Sequence, residues 1–256
     1  MGMLQSVAIS DLGLVRTSNQ DRTLIDKALG LYLVADGVGG QRHGDTAAEL
    51  AVNACQYYLR ASHNTVDVSW PFGYDVDRSA NENRLRTAFQ LANRQVQKLR
   101  QQSPEHANAA TTIVGVLIDG SVATVGNVGD SRVYLMRGNV LQQLTVDDTW
   151  VGQLVREGAL TEAQARTHSM KNVVTQTMGL ESVEIHTSEH RLLDGDMLLL
   201  TTDGIHGILE HSAMCSILAS CRSLEEGARR MIEAALDRGG PDNASCILLR
   251  HDAASS

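Results

Sequence analysis

Four short β-type runs follow one another between residues 111 and 144: Thr111–Ile118, Ser121–Asn127, Arg132–Arg137 and Val140–Leu144. Glycine-bearing turns separate them, and no helical pattern intervenes. Parallel neighbours need a crossover of a dozen or more residues, so this block excludes a regular βα alternation and predicts an antiparallel meander. The rest of the chain agrees. Residues 4–10 and Gly30–Ala35 read as strands, and a helix over about 46–61 opens on the capping box Thr46-x-x-Glu49. Residues 63–80, with Pro71 and Gly73, read as a loop. From Asn81 to about Leu99, Leu85, Phe89, Ala92, Val96 and Leu99 share one helical face. Two short helices, Asp147–Glu157 and Thr161–Thr167, precede strands Val183–His190 and Met197–Thr201, joined through Asp194-Gly195. Helix Glu210–Ala219, a helix capped by Ser223-x-x-Glu226, and a last strand Asn243–Arg250 close the sequence. Strands, helix pair, strands, helices and a closing strand make an α+β pattern. No internal repeat or linker divides the 256 residues, so residues 1–256 read as a single domain.

Composition narrows the function. Aromatic residues are 4% of the chain, too few for stacking platforms along single-stranded nucleic acid. Thirty acidic residues against 22 basic give a net charge of −8, which argues against a phosphate-backbone partner. No apolar run approaches the roughly 20 residues that span a bilayer. The first six residues match the myristoylation pattern but run straight into a strand-like segment. Cys55, Cys215, Cys221 and Cys246 form no Cys-x-x-Cys pair and suit a reduced, cytoplasmic chain.

The aspartates carry the chemical signal. Asp36 closes an apolar run in Val-Ala-Asp-Gly, and Asp203 closes another in Thr-Thr-Asp-Gly. Asp130 lies in Gly-Asp-Ser-Arg, Asp242 in Pro-Asp-Asn and Asp21 in Asn-Gln-Asp. A carboxylate at the end of a buried strand stands at a sheet rim. Several such ends meeting there make like charges that are costly unless a cation neutralises them. Oxygen donors select Mg²⁺ or Mn²⁺ over zinc. The glycine after Asp36 and after Asp203 would let the backbone approach a metal closely. Taken singly, each Asp-Gly also reads as ordinary turn chemistry.

Arg16-Thr-Ser-Asn-Gln-Asp21, Val34-Ala-Asp-Gly-Val-Gly-Gly40, Gly126-Asn-Val-Gly-Asp-Ser-Arg132, Thr201-Thr-Asp-Gly204 and Gly240-Pro-Asp-Asn243 stand in an order that resembles the protein phosphatase 2C family of metal-dependent serine/threonine phosphatases. The segment Leu144–Thr161 resembles the flap subdomain of bacterial members, here about residues 145–180. The resemblance spans about residues 4–250. It implies a four-layer αββα sandwich, two antiparallel sheets flanked by helices, with a binuclear Mn²⁺ or Mg²⁺ centre between the sheets. Asp36 would bridge both metals; the Gly37 carbonyl would complete one, and Asp203 and Asp242 the other. Asp130 with Asp203 would hold the third metal seen in some members. Arg16 would bind the substrate phosphate, and Gln20, Asp21 and Asn243 would support the ligands from behind. A metal-bridging hydroxide would attack phosphorus in line. Phosphoprotein substrates of a serine/threonine kinase are the implied partners, with a monomer expected and no membrane or nucleic-acid partner.

Three departures matter. Gln20 stands where many relatives have Glu, which would weaken one metal site. Val38 replaces a His proposed in some members as the general acid; His43, nearby, reads as a surface residue. Asp147-Asp148-Thr149 replaces the usual Asp-His before Ser or Thr, which bears on substrate selection. Two other functions stay open beside protein dephosphorylation: a phosphoprotein-binding module without turnover, and a hydrolase of small phosphate esters. His186-Thr-Ser-Glu-His190 matches a His-x-x-Glu-His zinc motif, but that motif needs a helix. In the β-type segment here the two histidines would stand about 13 Å apart.

Overall fold

A computed structural model of the chain describes residues 3–38, 43–63, 69–102 and 104–252. The myristoylation pattern at residues 1 and 2, the last two glycines of the motif at 34–40, and residues 64–68 of the loop read over 63–80 lie outside the described residues.

Two antiparallel five-stranded sheets pack face to face. One is ordered β10-β7-β6-β3-β2, from β2 (Arg22–Asp26), β3 (Leu31–Ala35), β6 (Ile113–Asp119), β7 (Val122–Val128) and β10 (His186–Arg191). The other is ordered β1-β12-β11-β8-β9, from β1 (Met3–Asp11), β8 (Arg132–Arg137), β9 (Val140–Gln143), β11 (Met197–Thr201) and β12 (Ala244–Asp252). A short pair, β4 (Gly37–Val38) with β5 (Ala110–Thr111), sits beside them. Helices α1 (Gly44–Ser62) and α2 (Ala80–Gln102) cover the outer face of the first sheet; α6 (His211–Ser220) and α7 (Leu224–Leu236) cover the second. Helices α3 (Trp150–Arg156) and α4 (Glu162–Thr167) follow β9, and α5 (Asp203–His206) follows β11.

The layering explains the unbroken apolar runs. In β3, Leu31, Leu33 and Ala35 face α1 and α2, while Tyr32 and Val34 face the opposite sheet. In β12, Cys246 and Leu248 face α7, while Ile247 and Leu249 join that middle layer. Strands covered on both faces lose the alternation of a half-exposed strand. The αββα sandwich and the α+β class are as expected.

Several local expectations need correction. The runs over 111–144 are not one meander. β6–β7 is a hairpin of the first sheet and β8–β9 a hairpin of the second, and Gly129–Ser131 carries the chain between the sheets. A glycine turn looks the same in sequence whether it closes a hairpin or changes layer. Thr46 does not cap α1; the helix begins at Gly44 with His43 as N-cap, and the Thr46 N–H donates to Asp45 Oδ1 at 2.7 Å. Residues 147 and 148 lie before α3, which Thr149 caps by accepting from the Gly152 N–H. Val183–Ile185 is not strand, and β10 begins at His186. Thr161 with Gln164 does form the capping box of α4, and Ser223 caps α7. β2 and α5 had no recognised signal, both being short and polar at their ends.

Candidate metal centre

Register brings the aspartates together. Arg22 pairs with Ala35, which sets Asp21 beside Asp36. Arg132 pairs with Thr201, which sets the Asp130 turn beside Asp203. Thr201 pairs with Cys246, which brings the Asp242 loop to the same end. Five carboxylates from five strand ends therefore meet at one rim of the sandwich: Asp21, Asp36, Asp130, Asp203 and Asp242.

Neighbouring hydroxyls and backbone fix them. The Asp36 carbonyl accepts from the Thr112 N–H at 2.9 Å and the Thr111 hydroxyl at 2.8 Å. Thr112 Oγ1 lies 2.8 Å from Ser131 Oγ, tying this strand end to the Asp130 turn. Thr202 Oγ1 donates to Asp21 Oδ2 at 2.9 Å and accepts from the Ser245 N–H at 3.0 Å. The glycines of the two Asp-Gly pairs serve chain approach. A Cβ on Gly37 would stand 2.3 Å from the Gly44 backbone and 2.8 Å from the Gln20 carbonyl; one on Gly204 would stand 1.9 Å from the Asn243 carbonyl. Close backbone packing by itself requires glycine at both positions.

Asn243 is a clasp. Its Oδ1 accepts from the Gln20 N–H at 2.9 Å, and its Nδ2 donates to the carbonyls of Leu12 at 2.8 Å and Ser18 at 3.0 Å. It thereby holds the loop that presents Arg16, whose Nη2 lies 2.7 Å from Asp242 Oδ2. The Arg16 side chain is 53% exposed, so it stays open to solvent while held by Asp242.

Electrostatics mark the rim as strained. Burial, followed by the charge of Asp21 and Asp203, lifts the Asp36 pKa well above its ordinary value. Burial pushes Asp21 up to about 7, against hydrogen bonds from Ser245 and Thr202 that pull it down. Burial and the charge of Asp203 push Asp130 up to about 7. Asp203 is raised by burial and by Asp242. Arg16 is the cation that answers Asp36, Asp203 and Asp242, held charged first by its bond to Asp242, while Arg132 answers Asp130. Asp21 Oδ1 and Asp203 Oδ1 are buried and accept no hydrogen bond among the described residues. No three acidic or other ligating side chains among the described residues already close round a point. The Asp203 and Asp36 carboxylates lie within hydrogen-bonding reach of each other, and Asp242 turns to Arg16. Oxygen donors, excess negative charge and two unbonded buried oxygens fit hard divalent cations.

All nine residues singled out from the sequence lie at or behind this rim: Arg16, Gln20, Asp21, Asp36, Gly37, Asp130, Asp203, Asp242 and Asn243. Asp21 belongs to the charge cluster itself. Val38 is exposed on β4 and pairs with Ala110. His43 is half-buried against the ring of His106, 4.9 Å away, and is not the surface residue expected. Sequence reasoning missed His206. Its Nδ1 lies 2.8 Å from Thr201 Oγ1, and the ring also bonds the Asp130 backbone. Burial, then the charge of Arg132, holds its pKa well below the ordinary value, so a neutral imidazole braces the turn. Its spacing, three residues after Asp203 in a helical turn, was the available signal. His186 and His190 lie on β10, which removes the zinc motif.

The family model for protein phosphatase 2C matches residues 15–242. The chain belongs to the protein phosphatase 2C family. Among its phosphatase 2C relatives, the serine/threonine phosphatase stp of Listeria monocytogenes is 31% identical over 95% of this chain and 94% of its own length. The serine/threonine protein phosphatase PstP of Mycobacterium tuberculosis is 30% identical over 96% of this chain and 45% of its own. A crystal structure of the Mycobacterium tuberculosis PstP matches with a TM-score of 0.86 at 29% identity, covering 98% of this chain and all of that one. A structure of the PstP catalytic domain in complex with two manganese ions matches with a TM-score of 0.83 at 27% identity, covering 98% of this chain and 100% of that one.

Proposed function

We propose that this phosphatase 2C chain hydrolyses phosphoserine and phosphothreonine monoesters in proteins, at a two-metal centre on Asp36, the Gly37 carbonyl, Asp203 and Asp242. The observation that carries the reading is the convergence of five strand-end carboxylates on one rim, with buried oxygens of Asp21 and Asp203 unbonded. Mn²⁺ or Mg²⁺ suits such donors. When bound, the cation pair would lower the pKa of a coordinated water and so supply a nucleophile for phosphorus near neutral pH.

The remaining work falls to this chain's side chains. Arg16, anchored through Asp242, offers its remaining N–H donors to the phosphoryl oxygens, a geometry suited to a guanidinium. Asp130 and Asp203 together offer carboxylates for a third, weaker cation. Asp21 adds charge behind Asp36 and Asp203, and Asn243 fixes the Gln20 backbone and the Arg16 loop. Residues 1–256 act as one phosphatase domain, with the segment about 145–180 as its flap. Phosphoproteins made by a serine/threonine kinase are the partners, and the four free cysteines favour a cytoplasmic setting. Among the described residues no helix is long and apolar enough to cross a membrane.

The test is phosphate release from a phosphothreonine and a phosphotyrosine peptide, with Mn²⁺ and after exhaustive chelation. The proposal expects metal-dependent release, faster from phosphothreonine. Full activity after chelation would remove the metal centre. Phosphopeptide binding without turnover at saturating Mn²⁺ would favour the binding-module reading that Gln20 raises.

A further inference from the structure

Asp148 lies outside the acidic rim, at the root of the flap segment, and is 3% exposed. Both of its carboxylate oxygens and both of its backbone polar groups are engaged. Its N–H donates to the Gly129 carbonyl at 3.0 Å, and its Oδ2 accepts from the Gly129 N–H at 2.9 Å. The residue before Asp130 is thus gripped from both sides. Asp148 Oδ1 lies 2.8 Å from His186 Nε2 on β10. The Asp148 carbonyl accepts from Thr175 on the returning limb, from its N–H at 2.7 Å and its hydroxyl at 2.9 Å. Asp147 meanwhile holds Arg132 through two contacts of 3.0 Å to Nε. The turn carrying Asp130 is therefore bracketed at 129 and at 132 by consecutive aspartates of the flap root.

We infer that Asp148 is a positioning residue: through Gly129 it sets the Asp130 carboxylate, and so links the flap segment and β10 to the metal centre. A buried carboxylate this near an acidic rim is costly without compensation. His186, whose pKa the bond to Asp148 raises, is the group that offsets it. Space-filling alone would need no charge here, whereas an acceptor aimed at the Gly129 N–H requires an oxygen. The inference rests on the reading of Asp130 as a ligand for a weaker cation.

Mn²⁺ titration calorimetry on the full chain tests it, alongside the Gly129 amide signal in a ¹⁵N–¹H spectrum and kcat and KM for an aryl phosphate. Asp148→Ala should weaken the loosest Mn²⁺ step by about tenfold or more, as loss of an outer support does. It should leave the tighter steps in place, shift the Gly129 signal, and lower kcat with little change in KM. Asp148→Asn keeps an oxygen for Gly129 and an N–H for His186 in its neutral form, so it should recover most of that loss. Wild-type affinity in Asp148→Ala, with the loosest step lost in Asp130→Asn, would overturn the positioning role alone. An Asp148→Asn variant as weak as Asp148→Ala would overturn it as well. An unaffected loosest step in Asp130→Asn would overturn the Asp130 reading and the positioning role together. If Asp148→Ala does not fold, His186→Ala decides: a weaker loosest step is expected, and wild-type affinity overturns the role.

Discussion

Asp203 Oδ1 and Asp21 Oδ1 are buried without a hydrogen-bond partner among the described residues, and their carboxylates face others of the same sign. An unpaired buried oxygen costs about 1–3 kcal/mol, more when charged. That cost has a pH signature. Asp21 and Asp130, raised to about 7 from an ordinary 3.8, bind protons more tightly in the folded chain than in the unfolded one. Below about pH 4 both states hold the proton. As pH rises to about 7 the unfolded state releases it first, so stability falls across that window and the loss is complete above it. Melting of the chelated protein should therefore shift to lower temperature from pH 5 to pH 8, and less steeply in Asp130→Asn. A melting temperature independent of pH in both would contradict the electrostatic account. Under the proposed function Arg16 would serve binding: Arg16→Ala should raise KM for phosphopeptide by about tenfold, the order of one charge-assisted hydrogen bond, with a smaller change in kcat. An unchanged KM would remove Arg16 from the phosphate site.

At the scale of elements, strand register and two glycines assemble the rim. Asp203 sits in the first turn of α5, and the Gly204 backbone presses on the Asn243 carbonyl. Gly204→Ala would drive a methyl into that carbonyl and push Asp203 away from Asp242. The expected outcome is a destabilisation of about 1–3 kcal/mol, the range for overpacking, with a loss of metal affinity that Gly195→Ala at an open turn would not share. Chemical denaturation and Mn²⁺ binding on the two variants check this, and equal affinity in both would contradict it. The sequence made the strand-end aspartates legible because a buried strand followed by Asp-Gly is a local pattern. It hid the crossing at Gly129–Ser131, since nothing local distinguishes a hairpin turn from a change of sheet. His206 and Asp148 were hidden for the same reason: they bond the Asp130 turn from α5 and from the segment before α3, contacts that only the tertiary fold creates.

Over the whole molecule, the sandwich exists to bring strand ends from two sheets to one edge. β3 and β2 supply Asp36 and Asp21; β11 and β12 supply Asp203 and Asp242; the chain crosses between sheets at Asp130. The order of strands and helices made the α+β class legible, whereas the αββα layers came from the resemblance to the family; runs such as Leu31–Ala35 and Cys246–Leu249, buried on both faces, are their physical basis. The central claim is that this shared edge holds divalent cations through Asp36. Calorimetric titration of Mn²⁺ into the wild-type chain and into Asp36→Asn at neutral pH tests it most directly. The account predicts two tight ions in the wild type, and for Asp36→Asn a loss of affinity of at least about a hundredfold, because this carboxylate would serve both. Equal Mn²⁺ affinity and stoichiometry in the two proteins would contradict it.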